Sequence, residues 1–378
     1  MKKIVLSISG VASFCIAIVL LVVANHLCGD LDSQNMAKRW SVDGGVAQIS
    51  CFFSVNSSIS KDTIEEFEHS IDGKLLEASI VSESENPSAR LWADAYSADG
   101  KITLSNDNST LEADAVGIGG DFFLFHPVKL LEGGYFSGND LMQDYCVIDE
   151  DAAWQLFGSN NVVGQIVYIG NEPHIVTGVI EREDGKLVEK AGMDSTLVYV
   201  SYDTLSRLGQ NNGINHYEVV MPNPVDNFAF NYVKEQLGSN EKEVEVLENS
   251  SRYSLLSRIK LLGEFGTRSM NGKAIIYPYW ENVARGYEDI IAVLTLFMLL
   301  FIVYPVVLLI AFIWHKWRHK TWTAKSVAHM LGDRWEDYLE KRRNQKRNGN
   351  ENDKRKEGTK KGLRLRLHIR EEDEEEWL

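Results

Sequence analysis

Few residues in this chain stand at a spacing that does recognised chemistry. No G-x-x-x-x-G-K-[ST] loop is present, so nucleotide phosphates cannot be cradled in that way. There is no H-E-x-x-H metal pair and no G-x-S-x-G nucleophile turn. Gly117-Ile118-Gly119-Gly120 stops short of a dinucleotide fingerprint, because Asp121, Phe122 and Phe123 follow it. The nine histidines are scattered, with no pair at ligand spacing, and read as surface or core residues. The acidic groups Asp149-Glu150-Asp151 and Glu181 to Asp184 could attract a cation, although a solvated turn is the plainer reading. Cys28, Cys51 and Cys146 permit a disulfide without specifying the pair. Asn56, Asn108 and Asn249 open N-x-[ST] triplets that matter only in a secretory eukaryotic host. We therefore expect no catalytic residues, no cofactor and no metal ligands, and read the chain as a non-enzyme.

The elements around these residues are more telling. Ile4 to Ala24 is a run of 21 residues without a charge, and Ile290 to Trp314 is one of 25. About 20 apolar residues at 1.5 Å each cross a hydrocarbon core of roughly 30 Å. The first run is longer than a signal-peptide core and lacks an A-x-A-like site, so it reads as an anchor. Tyr277, Tyr279, Trp280 and Tyr287 on one side of the second run, and Trp314, Trp317 and Trp322 on the other, resemble a two-sided aromatic belt. Pro305 lies inside that run and is expected to kink it. No third or fourth apolar run is found.

Basic flanks set the expected orientation. Lys2 and Lys3 precede the first span, and Lys316, Arg318 and Lys320 follow the second, so both termini are expected in the cytoplasm. The intervening residues 25–289 then lie outside it. They hold 19 basic and 41 acidic residues, against 18 and 13 from residue 315 onward. The whole chain has 378 residues and a net charge of −15. With 44% hydrophobic and 25% charged residues it is neither globally disordered nor fibrous, and its acidity argues against nucleic-acid binding.

Periodicity divides residues 26–289 into two lobes. Ala47 to Val55 reads as a strand, Lys61 to Leu76 as a helix with Ile64, Phe67, Ile71 and Leu75 in register, and Ala78 to Val81 as a second strand. His216 to Met221, Phe228 to Leu237 and Val244 to Leu247 repeat strand, helix, strand. The two halves are expected to pair into one α+β lobe. Between them lies a β-rich insertion. Asp99-Gly100 and Gly170-Asn171 read as hairpin turns, and Asp151 to Phe157 as a short helix stopped by Gly158. The expected fold is thus a membrane protein of α+β class, with two transmembrane helices flanking a two-lobed extracytoplasmic domain. Its segments are 1–25, 26–289, 290–314, 315–343 and 344–378.

In the last two segments, Val327, Leu331, Trp335 and Leu339 form one apolar stripe on a basic amphipathic helix from about Thr323 to Arg343. That stripe is a candidate for docking a partner or lying on the inner leaflet. Residues 344–361 read as disordered. Leu363, Leu365, Leu367 and Ile369 alternate with basic residues as in a strand seeking an edge, and Glu371 to Glu376 is an acidic run.

The middle stretch resembles the extracytoplasmic core domain of the MacB/FtsX-like ABC-transporter permeases. Ala115-Val116-Gly117 to Phe122-Phe123 looks like an entry strand. Leu131-Glu132-Gly133-Gly134-Tyr135-Phe136 resembles the family's L-x-G-R-x-F segment, with Gly134 replacing the usual Arg. Val147-Ile148-Asp149-Glu150, Ala152 and Leu156-Phe157-Gly158 resemble its strand-then-helix block. Val163-Gly164-Gln165 and Val176 to Ile180 resemble its closing hairpin. The close match covers about 115–181. The resemblance implies a split α+β lobe with a β insertion, placed between the first two membrane helices. It implies a permease-like subunit that relays motion from a separate ABC ATPase to the outer domain. Two spans instead of the family's four imply either a second membrane subunit as a further partner, beside the lipid bilayer, or a loss of direct ATPase coupling. The alternative from another class is a two-span anchored binding or sensing protein without a transport role.

Overall fold

An apolar run without charges folds as a helix in a membrane to satisfy its own backbone. The computed structural model describes residues 2–57, 59–82, 89–183, 185–191, 195–238, 240, 242–265, 277–319, 329 and 331–342. In chain order the elements are α1 (Lys2–Gly29), α2 (Met36–Trp40), β1 (Val46–Phe53), α3 (Lys61–Glu77), β2 (Ala93–Ser105), β3 (Thr110–Gly120), α4 (Phe122–Phe125), β4 (Leu130–Gly133), β5 (Tyr145–Asp149) and α5 (Glu150–Phe157). There follow β6 (Ile166–Ile169), β7 (Glu172–Ile180), α6 (Lys186–Lys190), β8 (Leu197–Ser201), α7 (Tyr202–Leu208), β9 (Gln210–Asn211), β10 (His216–Pro222), α8 (Phe228–Leu237), β11 (Val244–Glu248), α9 (Leu255–Gly263) and α10 (Tyr279–Arg318). Among the described residues two helices, α1 from Ile4 and α10, are long and apolar enough to cross a membrane.

The first lobe forms as the periodicity requires. Strands β11, β1, β10 and the first half of β2 lie side by side and antiparallel. Helices α3 and α8 cover one face, burying Ile64, Phe67, Ile71 and Leu75 from one and Tyr232, Val233 and Leu237 from the other. Ser60 caps α3 by accepting from the Thr63 amide. The expected strand at Ala78 to Val81 is instead the end of this helix. Ser79 takes φ 60°, and the Ile80 and Ser79 amides donate to the Leu75 and Leu76 carbonyls. These two bonds satisfy orphaned carbonyls in a Schellman arrangement, while Ile80 packs on the core.

The second lobe is a ring. Strands β2, β3, β8, β5, β7 and β6 pair in succession, and β6 returns to pair with β2 through Leu104 and Ile169. Closure leaves these strands few free edges. It surrounds a second core that includes Ile102, Ile148, Val167, Val176 and Val200. The long β2–β3 hairpin belongs to both lobes, so the insertion continues the sheet of the first lobe.

That continuity overturns the expected turn at Asp99-Gly100. Strand β2 runs through it, and the reversal comes after Ser105. Gly100 serves a close approach: a Cβ there would stand 2.4 Å from the Gln210 carbonyl oxygen of β9. Gly170-Asn171 is a turn as expected, with both residues at positive φ. Asp149 caps α5 through the Ala152 amide, and Gly158 ends it at φ 70°.

A third core lies on the face of the sheet nearest the start of α10. It joins Met36 of α2, Phe122 and Phe125 of α4, Tyr199 of β8 and Trp280 of α10. The chain divides into two compact units, Met1–Pro305 and Val306–Leu378. In the second, residues 331–342 are helical, with Leu331 and Trp335 exposed and Leu339 partly covered. Val327 and the segment 343–378, including the expected strand and acidic run, lie outside the described residues.

Two outcomes follow for denaturant unfolding of the purified chain in detergent. Gly100→Ala should destabilise by about 1–3 kcal/mol through overpacking against β9, whereas Gly134→Ala, whose Cβ meets nothing within 4 Å, should stay within about 0.5 kcal/mol. Asp149 supplies the second. Burial raises its carboxyl from 3.8 to about 6, outweighing the amides that bond it. The folded state therefore binds the proton more tightly than the unfolded chain, and Asp149 contributes stability that is lost as pH rises from about 4 to about 6. Asp149→Asn should carry a constant offset but a flatter slope across that window.

Candidate functional site

The first turns of α10 carry Glu281, Arg285 and Glu288, at i, i+4 and i+7 on one helix face, just before the uncharged run. All three are buried, with 0–2% of their surface exposed. A charge buried this deeply costs several kcal/mol unless it is paired and hydrogen-bonded. Here the pairing comes from the folded domain. Arg252, in the loop after β11, donates to both oxygens of Glu281 at 2.7 and 2.9 Å and to Glu288 at 2.6 Å. Arg285 donates to Glu281 at 2.7 Å and to Glu245 of β11 at 3.0 Å. Its guanidinium also lies 3.7 Å from the centre of the Tyr277 ring, whose hydroxyl donates to Glu245. Burial works against the charge on Arg252, but Glu281 and Glu288 outweigh it and hold the guanidinium protonated.

The end of α1 is tied into the same region. Arg252 donates to Gln34 at 3.0 Å, in the turn that follows α1. Arg258 of α9 donates to Asn25 of α1 at 2.7 Å. Asn35 donates to the Cys28 and Leu31 carbonyls at 2.9 and 2.8 Å, closing the last turn of the helix. Within the apolar stretch, Ser13 of α1 donates to the Phe301 carbonyl of α10 at 2.8 Å. That carbonyl lies four residues before Pro305, which has no amide to give it. The serine on one helix thus satisfies the acceptor that proline orphans on the other. Ser9 and Tyr304 add a hydroxyl contact at 2.8 Å. Both helices are held to each other and to the sheet.

Beside this junction the fold assembles a group that sequence spacing conceals. His126, His216 and Glu218 bring ligand atoms within 4.8 Å of one another, and among the described residues they are the group able to hold a metal ion. His216 and Glu218 share one face of β10, and His126 follows α4, 90 positions away in the chain. The alternation His-x-Glu on a strand was the one visible signal. Arg252 had no signal, because its partners lie in another element.

The residues singled out from sequence take plainer roles. Asp149 is a helix cap, Asp151 pairs with Arg182, and Glu181 pairs with Lys129. Gly119 makes room for packing: a Cβ there would meet the Tyr96 ring at 2.0 Å. Cys28, Cys51 and Cys146 are free thiols, all buried. Leu331, Trp335 and Leu339 share a helix, whose role as a docking stripe is taken up below.

A family profile described as "MacB-like periplasmic core domain" matches residues 43–231, half of the chain. The "Macrolide export ATP-binding/permease protein MacB" of Chromobacterium violaceum is 31% identical over 99 residues, 26% of this chain and 15% of that protein. The protein of the same name from Pasteurella multocida is 34% identical over 104 residues, 27% of this chain and 15% of that protein. The chain therefore spans a small fraction of the relatives' length. The crystal structure of the periplasmic region of MacB from Actinobacillus actinomycetemcomitans aligns at 20% identity and a TM-score of 0.37, over 58% of this chain and 95% of that one.

Removing Glu281 leaves two guanidinium groups short of a partner. Glu281→Ala should cost about 3–5 kcal/mol in denaturant unfolding. Arg207→Ala, which breaks an exposed pair with Glu172, should cost under about 1 kcal/mol.

Proposed function

This chain belongs to the MacB-like periplasmic core domain family, and from that premise we propose that it is a permease-like membrane subunit of an ABC-type transporter or mechanotransmission complex. In this reading a separate ATPase moves the membrane helices, and the helices move the outer domain. The observation that carries it is the buried ionic junction. A helix whose Glu281, Glu288 and Arg285 are held by Arg252 and by Glu245 of β11 is tied to the end of the sheet. Coupling of this kind needs a rigid connection between two sites.

The basic residues at both ends support cytoplasmic termini and an outer location for residues 25–289. The exposed Leu331 and Trp335, with Leu339 on the same helix, are the surface we assign to docking the ATPase at the inner leaflet; Val327, in the expected stripe, lies outside the described residues. A second membrane subunit completes the proposed assembly. The chain itself performs no catalysis in this scheme.

Native membranes provide the test. The tagged chain, extracted in mild detergent, should carry ATPase activity with it, and a photo-crosslinker at Trp335 should capture an ABC ATPase chain. Trp335→Ala should lower the co-purified activity about tenfold or more, as loss of a central aromatic anchor does. Recovery of the intact chain without any ATPase, and with tail crosslinks to lipid only, would contradict the proposal and favour an anchored binding or sensing protein.

A further inference from the structure

Three buried side chains next to the start of α10 have polar atoms that no hydrogen bond in the protein uses. The atoms are His126 Nδ1 and Nε2, His216 Nε2 and Glu218 Oε2. Their residues are 3%, 0% and 1% exposed. His126 Nε2 stands 2.9 Å from Glu218 Oε2, but the pair lacks hydrogen-bond geometry. His216 Nε2 stands 3.7 Å from Glu218 Oε1. A buried polar atom without a hydrogen bond is unfavourable, and here such atoms of three residues converge on one place, in contact only as charge partners. Ligand atoms around a tetrahedral ion with bonds of about 2.0–2.1 Å lie about 3.3 Å apart, and one ligand atom from each of the three residues lies within 4.8 Å of the others.

We propose that His126, His216 and Glu218 form a divalent-cation site, best suited to zinc, that clasps β10 to the end of α4 against Trp280 of α10. Two imidazoles and one carboxylate select a transition metal over calcium or magnesium, which take oxygen ligands. Outer partners orient two of the three ligands, Glu218 and His216. The other carboxylate oxygen of Glu218 accepts from Ser50, and from Gln48 and Asn249 at 3.3 Å each, which leaves Oε2 for the ion. Ser97 lies 3.4 Å from His216 Nδ1. Such outer partners fix the direction of metal ligands. The nearby cation Arg39 donates to the Leu124 and Phe125 carbonyls. The rings of Phe122, Phe52 and Trp280 enclose the imidazoles, with Trp280 4.3 Å from His126 and 5.3 Å from His216. An ion held here would brace the surface on which the base of α10 rests. The site is independent of the transport reading.

The full-length chain, purified in detergent without a histidine tag and stripped with chelator, should take up one Zn2+ per chain in competition with a chromogenic chelator. The uptake should raise its Tm. Co2+ should produce visible absorption bands of nitrogen and oxygen coordination, lost on adding Zn2+. Ser50→Ala should weaken binding by about 10- to 100-fold. His126→Ala and Glu218→Gln should weaken it further. Should either of these fail to fold, the Co2+ spectrum of the unaltered chain and the Ser50→Ala titration still decide. No stoichiometric uptake by the folded chain, or uptake unaltered by these substitutions, would overturn the proposal and leave a histidine–carboxylate network without a metal.

Discussion

Guanidinium and carboxylate groups buried together must find each other, and in this protein they do so between a membrane-type helix and a folded domain. Arg252 grips Glu281 with two parallel bonds and Glu288 with a third. Arg285 passes the connection on to β11. Either partner alone would be an uncompensated buried charge, so the helix base and the sheet edge hold their relative position under a penalty of several kcal/mol. That penalty is large beside the roughly 5–15 kcal/mol that typically separates a folded domain from its unfolded state. A hydrophobic contact of similar area would tolerate sliding, whereas a bidentate pair fixes direction as well as distance.

The rest of the architecture serves this constraint. The β2–β3 hairpin carries the sheet from one lobe into the closed ring of the other, so one continuous sheet borders both cores. Ser13 and the Phe301 carbonyl join the two long helices at the point where Pro305 would otherwise leave a polar gap in the apolar stretch. The aromatic core around Trp280 and Phe122 supplies the packing beneath the charges.

How much of this was legible in the sequence follows from what each element depends on. Helices α3 and α8 declared themselves by apolar spacing, and the turn at Gly170-Asn171 by two residues suited to positive φ. The charge-free runs could be read directly. Gly100 misled because glycine marks both turns and close approaches, and the approaching β9 backbone lies 110 residues away. Ile80 misled because a Schellman contact places an apolar residue just after a helix, where a strand would also place one. The junction and the His126, His216 and Glu218 group stayed hidden for a different reason. Their members come from separate elements: Arg252 and Glu245 meet the base of α10, and the end of α4 meets β10.

If the ionic junction makes α10 and the sheet move as one body, the distance between them must be fixed by Glu281. Spin labels at exposed Leu300 on α10 and Glu112 on β3, with Cys15 replaced, would measure it through their distance distribution in bilayers. A narrow distribution that broadens in Glu281→Ala is the result expected here. A distribution equally broad in both, or equally narrow in both, would contradict the account.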